Sequence, residues 1–460
     1  MRALLPLLGT LVASLGPVVS PGGQEPAAAS LTGPYAGGSE SPANRLHAAL
    51  FARDVPGTGS SGLDSLDALR WTSSKWPFAP ARLARTRAAL RAVATDAESL
   101  PPIARALLQR EIWAFSDWLL DNLAGPIGLA PEERAARESL VRDGAIAMQA
   151  LALSAAAIDA LPDNLTATLA AKTLPSAPPA AGARTPWLPP GLADPKSEWL
   201  VLSSREWTDE PIAGIHNQPF SGRSVFTVHL RHAAGKEAAH AATQPFVEDG
   251  LFGFELGPEV PPLPPGSTVA FVRRMVLVDR DHQMRRTPLV ESVQLRHFLR
   301  VDAPPDPNDH AAFLAEFQQV AELELDRATL LDSSKGPAAG LRAVGPHEKR
   351  YIQVQSHGLD PIEEMEHFPG DWRPQRERLE TCMICHGRAG AASINLFTSV
   401  RFRRDLNSTL GHNPLIAIVE GSAAQETAVV SRWKRGRADF GWLQGAWSML
   451  AGSAAVRTPR

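Results

Sequence analysis

The hydrophobic period of this chain changes across a stretch that neither a helix nor the interior of a sheet accepts. Residues 174–198 hold seven prolines, at 175, 178, 179, 186, 189, 190 and 195. Each removes an amide donor and fixes φ, so the stretch stops a helix and cannot serve as a central strand. Before it the apolar residues recur with a helical period; after it they alternate. The division implies an α+β multidomain chain. Its expected parts are an N-terminal helical domain over 45–173, a stiff proline-rich linker over 174–198 wrapped on the surface, and a β-sandwich-like domain over 199–345. A mostly helical region follows over 346–460.

In the helical part, Leu108, Ile112, Phe115 and Leu119 fall on one helix face. Pro101-Pro102 opens that helix and Gly125-Pro126 closes it. The next begins at Pro131-Glu132-Glu133, with proline and acids where the helix dipole favours them. Leu140, Ala147, Met148 and Leu151 mark its buried side. Trp113, Trp118 and Met148 read as core packing rather than as a cofactor pocket.

In the strand-rich part, Phe226, Val228 and Leu230 alternate with Val225, Thr227 and His229. Two more strands are expected, over 269–279 and 289–301, joined by the polar hairpin loop Arg280-Asp281-His282-Gln283. A short helix is expected to open at Asn308-Asp309. His216, His229, His232, His240, His282, His297 and His310 show no metal-ligand spacing and read as surface or strand residues.

The chain has only two cysteines, and they stand in Cys382-Met383-Ile384-Cys385-His386. Two thiols three positions apart followed by a histidine is the c-type haem attachment pattern. On a helical turn residues i and i+3 share a face, so both thiols reach the vinyl groups of one porphyrin. The adjacent imidazole is then placed under the iron as its proximal ligand. The competing readings are a CxxC redox pair, a small disulfide and a zinc site. A redox pair should end a strand and open a βαβ helix, whereas Arg376-Glu377-Arg378-Leu379-Glu380-Thr381 is a polar run. Zinc would need more thiolate or imidazole ligands close by.

A low-spin haem needs a second axial donor. Met383 lies inside the attachment turn and cannot reach the opposite haem face. His412 lies in the turn-like Leu410-Gly411-His412-Asn413-Pro414, where glycine and proline favour a loop. It is the first choice for the distal position, with Met449 as the alternative and His357 and His367 behind them. Towards the end Val429, Trp433, Phe440, Leu443, Trp447 and Leu450 share a helix face, interrupted by Gly436, Gly441 and Gly445. Arg432, Lys434, Arg435 and Arg437 form a basic cluster, read as a solvated face in preference to a partner for haem propionates or an acidic redox protein.

Residues 1–20 carry one charge, Arg2, and then an apolar run, as in a secretory signal peptide cleaved between Ser14 and Ser30. The Pro, Gly, Ala and Ser of 21–44 point to a disordered linker. No later segment has the apolar length of a membrane-spanning helix. With 46 basic against 49 acidic residues there is no footprint for nucleic acid.

At Cys382 to His386 the sequence resembles the c-type cytochromes. That resemblance implies one covalent haem c per chain, with Cys382 and Cys385 as attachment points and His386 as the proximal ligand. It also implies export, since such haems are attached outside the bacterial cytoplasm. The proline-broken Phe368-Pro369-Gly370-Asp371-Trp372-Arg373-Pro374 before the motif departs from small cytochromes c, which carry their motif behind an N-terminal helix. Ala106 to Leu120, Gly222 to Arg231, Thr287 to Phe298 and Trp433 to Trp447 make the longer chain similar to a group of secreted bacterial proteins with a single CxxCH. The expected function is therefore a periplasmic or extracellular monohaem protein that passes single electrons to a redox partner protein. The alternatives are a haem enzyme, a peroxidase or oxidase subunit with an open distal position, and a secreted binding protein whose cysteines form a disulfide.

Overall fold

A computed structural model describes residues 33–55, 59–62, 67, 74–121, 129–180, 185–204, 211–212, 214–217, 220–243, 263–300, 317–332, 340–350, 376–377 and 418–456. The expected signal peptide, the Gly125-Pro126 helix stop and the helix at Asn308-Asp309 lie outside them, as do 21–32 and His310; residues 33–44 are described, with Tyr35 buried and α1 starting at Pro42.

The first part is helical: α1 (Pro42–Phe51), a small hairpin of β1 (Ala52–Val55) and β2 (Gly59–Gly62), α2 (Pro80–Asp96), α3 (Pro102–Asp121) and α4 (Pro131–Leu151). Proline stands in the first turn of each of these helices, where its missing N–H is not needed. The longest two cross closely at Gly144, where a Cβ would lie 3.0 Å from Ser116 Oγ. Leu108, Ile112, Trp113, Leu140 and Met148 are buried between the helices, as their spacing predicts. Two short helices follow, α5 (Ala155–Asp159) and α6 (Asn164–Ala171).

Then come β3 (Leu200–Ser204), α7 (Gly214–Asn217), β4 (Ser224–Arg231), α8 (Lys236–Thr243), β5 (Thr268–Val278), β6 (Met284–Phe298), β7 (Gln318–Leu325), α9 (Arg327–Leu331) and β8 (Leu341–Ala343). After β9 (Lys349–Arg350), β10 (Arg376–Glu377) and β11 (Ile418–Glu420), the described chain ends in α10 (Ala423–Arg435) and α11 (Ala438–Val456). One antiparallel sheet of seven strands runs in the order β11-β3-β4-β5-β6-β7-β8. The long β5–β6 hairpin turns at 279–283, where Asp279 N–H donates to the Gln283 carbonyl. Its second strand begins earlier than the alternation suggests, at Met284, and its ladder shifts register near Arg273 and Arg274. Asn164 serves the backbone there: its amide donates to the Val290 carbonyl at 2.9 Å and accepts the Val290 N–H at 2.7 Å.

The mixed α+β class therefore holds, but the described strands do not form a sandwich. Those of 199–345 join β11 in one sheet, and its second layer consists of helices and of the proline-rich stretch. Trp187, Leu188 and Leu192 are buried against Val293, Leu295, Ala321 and Leu323. The second half of 174–198 is thus packed structure and not only a surface strap. Prolines deny it a regular hydrogen-bond ladder, yet its tryptophan and leucines still gain by leaving water. The helical and strand-rich parts also share a core, in which Leu107 and Met148 pack in one cluster with Met275, Leu289 and Phe440.

No single described helix is long and apolar enough to cross a membrane. Pro131–Leu151 and Ala155–Ala171 pass together only as a pair bent by 80°.

Candidate functional site

Cys382, Cys385, His386 and His412 lie outside the described residues, as do Met383, His357 and His367. What the structure places is their frame. Before the motif, Arg376 and Glu377 pair with Arg350 and Lys349. After it, Ile418 to Glu420 pair with β3 as the sheet's edge strand and lead into the two terminal helices.

Met449 is described, and it is not held in packing. It stands on α11 at 69% exposure, beside Trp442 at 56%. The opposite side of α11 is buried through Phe440, Leu443 and Trp447, whose indole N–H donates to the Ala145 carbonyl. Above Gly441 and Gly445 an added Cβ would meet nothing within 4 Å. A thioether on an open helix face is chemically able to serve as an axial donor to a haem iron. Gly436 ends α10, its N–H donating to the Arg432 carbonyl, and splits the expected helix in two.

The basic cluster next to this helix is not one solvated face. Lys434 is fully buried, donating at 2.8 Å to both Asp117 and Asp439. Gly222, at φ +77°, runs so close that a Cβ there would lie 2.8 Å from the Lys434 Cβ. Arg437 donates at 3.2 Å to Asp439 and to Asp121. Arg432 and Arg435 remain exposed.

Lys434 is one end of a buried ionic network. Asp117 also accepts from Arg223 at 2.5 Å, and Arg223 donates at 3.0 Å to Asp67. Asp67 takes two further bonds from Arg110, at 2.9 and 2.7 Å. Arg110 itself donates at 2.9 Å to Glu291, which accepts from Ser224 at 2.5 Å and pairs with Arg273 at 3.3 Å. Burial alone would raise the Asp67 carboxyl, but attraction to Arg110 and Arg223 outweighs it and holds the group below the usual carboxylate range. Glu111 pairs with Arg327 in a second buried contact.

Glu426 is the opposite case. Fully buried in the first turns of α10, its carboxyl accepts the Ser204 N–H at 2.8 Å and the Ile212 N–H at 2.6 Å. Burial pushes its pKa up to about 8, against the two N–H bonds, which favour the charged form.

Among the described histidines, His229 and His297 lie on strands and bond to Thr227 and Thr268. His216 on α7 packs on the Phe271 ring at 4.9 Å, and burial, then the charge of Arg296, lowers it to about 4. Among the described residues no three His, Cys, Asp or Glu groups lie where they could hold a metal ion.

The network escaped sequence reasoning, although one signal was present. Arg110, Glu111 and Asp117 interrupt the apolar faces of α3, and charges at core positions require partners. The partners come from residues 43 to 317 positions apart, which no local pattern reveals. No family model, curated protein or solved structure matches the chain.

Proposed function

We propose that the protein is an exported monohaem c protein that passes single electrons. One observation carries the proposal: the chain's only two cysteines stand in Cys382-Met383-Ile384-Cys385-His386. Cys382 and Cys385 would hold the porphyrin through thioethers and His386 would ligate the iron. When bound, the haem supplies a reversible one-electron couple. The distal donor is His412 by sequence, and the exposure of Met449 supports the thioether as its rival. Residues 346–460 form the haem region, the preceding helices and strands being its scaffold. The redox partner is another protein, and export removes a signal peptide ending between Ser14 and Ser30.

Intact mass and a haem stain of protein expressed with cytochrome c maturation test the proposal. One haem should survive denaturation. Cys382→Ala or Cys385→Ala should weaken its retention, and the double variant should lose it. A wild-type chain of apoprotein mass, or a double variant that keeps its haem, refutes the assignment.

A further inference from the structure

Among the described residues two large apolar side chains stay exposed, Trp442 at 56% and Met449 at 69%. Exposed apolar groups that lie together, rather than singly, mark a surface that meets something. Both stand on α11, seven residues apart, so two turns of helix bring them onto one stripe. Gly445 lies between them on that stripe and Gly452 follows, giving Trp442, Gly445, Met449 and Gly452 at spacings of three, four and three. That is the spacing of a two-stranded coiled-coil seam, here with large and small residues alternating. The hole at Gly445 is open, since an added Cβ would meet nothing within 4 Å. Phe440, Leu443 and Trp447, on the other side of the helix, are already buried.

The seam is complementary to itself. When two copies of α11 lie antiparallel with the two-fold axis level with Trp447, position 442 meets 452 and position 445 meets 449. Each large side chain then faces a glycine: Trp442 the partner's Gly452, and Met449 the partner's Gly445. A parallel pair would set Trp442 against the partner's Trp442 and leave a void at Gly445. Charge also favours a second copy. From Phe440 to Val456 the helix carries no charged residue, so like meets like without repulsion. A charged partner would lose hydration here with no counter-charge in return. Antiparallel helix dipoles attract, and this order keeps the exposed cations Arg432 and Arg435, just before α11, at opposite ends of the pair.

Area sets the strength of the contact. The 19 residues of α11 make a helix ~28 Å long. A strip ~12 Å wide gives about 340 Å² per copy, or roughly 700 Å² in all. A specific, lasting interface needs ~1,200 Å² or more, so this contact is reversible and depends on concentration.

We infer that the exposed face of α11 is a self-association surface, on which a second copy of this chain docks antiparallel through Trp442, Gly445, Met449 and Gly452. Self-association does not depend on the haem, but it bears on it: in the dimer Met449 is covered and closed to a haem iron.

Sedimentation velocity of the full-length matured protein over a range of concentrations tests the inference. Mass should rise from one chain towards two, and Trp442→Ser with Met449→Ser should hold it at one. Gly445→Leu separates shape from stickiness. It adds apolar surface in open space, yet it fills the hole and should also abolish the dimer. Unchanged thermal midpoints show that these variants fold. A nitroxide amino acid at the exposed Ala438 of the otherwise unaltered chain reads the orientation. Antiparallel helices hold the two labels about 27 Å apart along the axis, parallel ones about 10 Å apart. One chain at every concentration, a dimer that survives either variant, or labels at about 10 Å would overturn the inference. So would a chain that stays single and binds anionic lipid vesicles through Trp442. Intact mass of the same samples reads the haem separately. A dimer of haem-free chains refutes the haem and supports the self-association; haem-loaded single chains refute the self-association alone.

Discussion

Asp67 and Glu426 are both buried carboxyl groups, and the fold treats them in opposite ways. Asp67 faces the guanidinium groups of Arg110 and Arg223, so its charge is matched and its pKa falls. Among the described residues Glu426 has only the N–H groups of Ser204 and Ile212 as partners, and desolvation wins, to about 8. Two well-placed backbone dipoles satisfy hydrogen-bonding geometry but do not replace a full counter-charge in a medium of low polarizability. The first arrangement fixes charge across the physiological range; the second leaves a proton to be lost within it.

The largest effect should come from breaking the matched site. Arg110→Met roughly keeps volume but removes the cation shared by Asp67 and Glu291, leaving them Arg223 and Arg273, and losing one partner of a buried ion pair costs ~3–5 kcal/mol. Urea unfolding checks this, and a change within 1 kcal/mol would mean that water or Arg223 and Arg273 replace the missing cation.

The unmatched site should show itself as a pH dependence. Glu426 keeps its proton in the folded chain up to about 8, while the unfolded chain loses it near 4.5. Between those values the folded state binds more protons, so stability falls as pH rises, by ~1.4 kcal/mol per unit, and levels off above 8. Glu426→Gln should remove that slope, seen as parallel unfolding midpoints at pH 6 and pH 8. If the slope survives, another group is responsible.

The smallest change sharpens the comparison within the matched site. Ser224→Ala removes one donor to Glu291, which keeps Arg110 and Arg273. The expected loss is ~1 kcal/mol. A loss approaching that of Arg110→Met would show that the hydroxyl, not the cation, sets the charge of Glu291.

Much of the local structure was legible because it is encoded locally. Pro102, Pro131 with Glu132 and Glu133, and the apolar faces located α3 and α4, and the alternation at Val225 to Leu230 located β4. The hairpin at 280–283 followed from polarity alone. The reading failed where a residue's environment is built by distant segments. Lys434 looks solvated beside three arginines, yet it is neutralised by Asp117, which no local pattern brings to it. The proline-rich stretch looks like an open strap, yet Trp187 finds a sheet face to cover.

By itself the sequence determined the α+β class, the places of α3, α4, β4 and β5 and the CMICH motif, all of which depend on residues a few positions apart. Tertiary structure decided the single sheet with helices as its second layer, the burial of the ionic network and the exposure of Met449. The reason is physical. Period and turn chemistry act over a few bonds, whereas desolvation and ion pairing depend on which distant surfaces meet, and only the folded chain selects those.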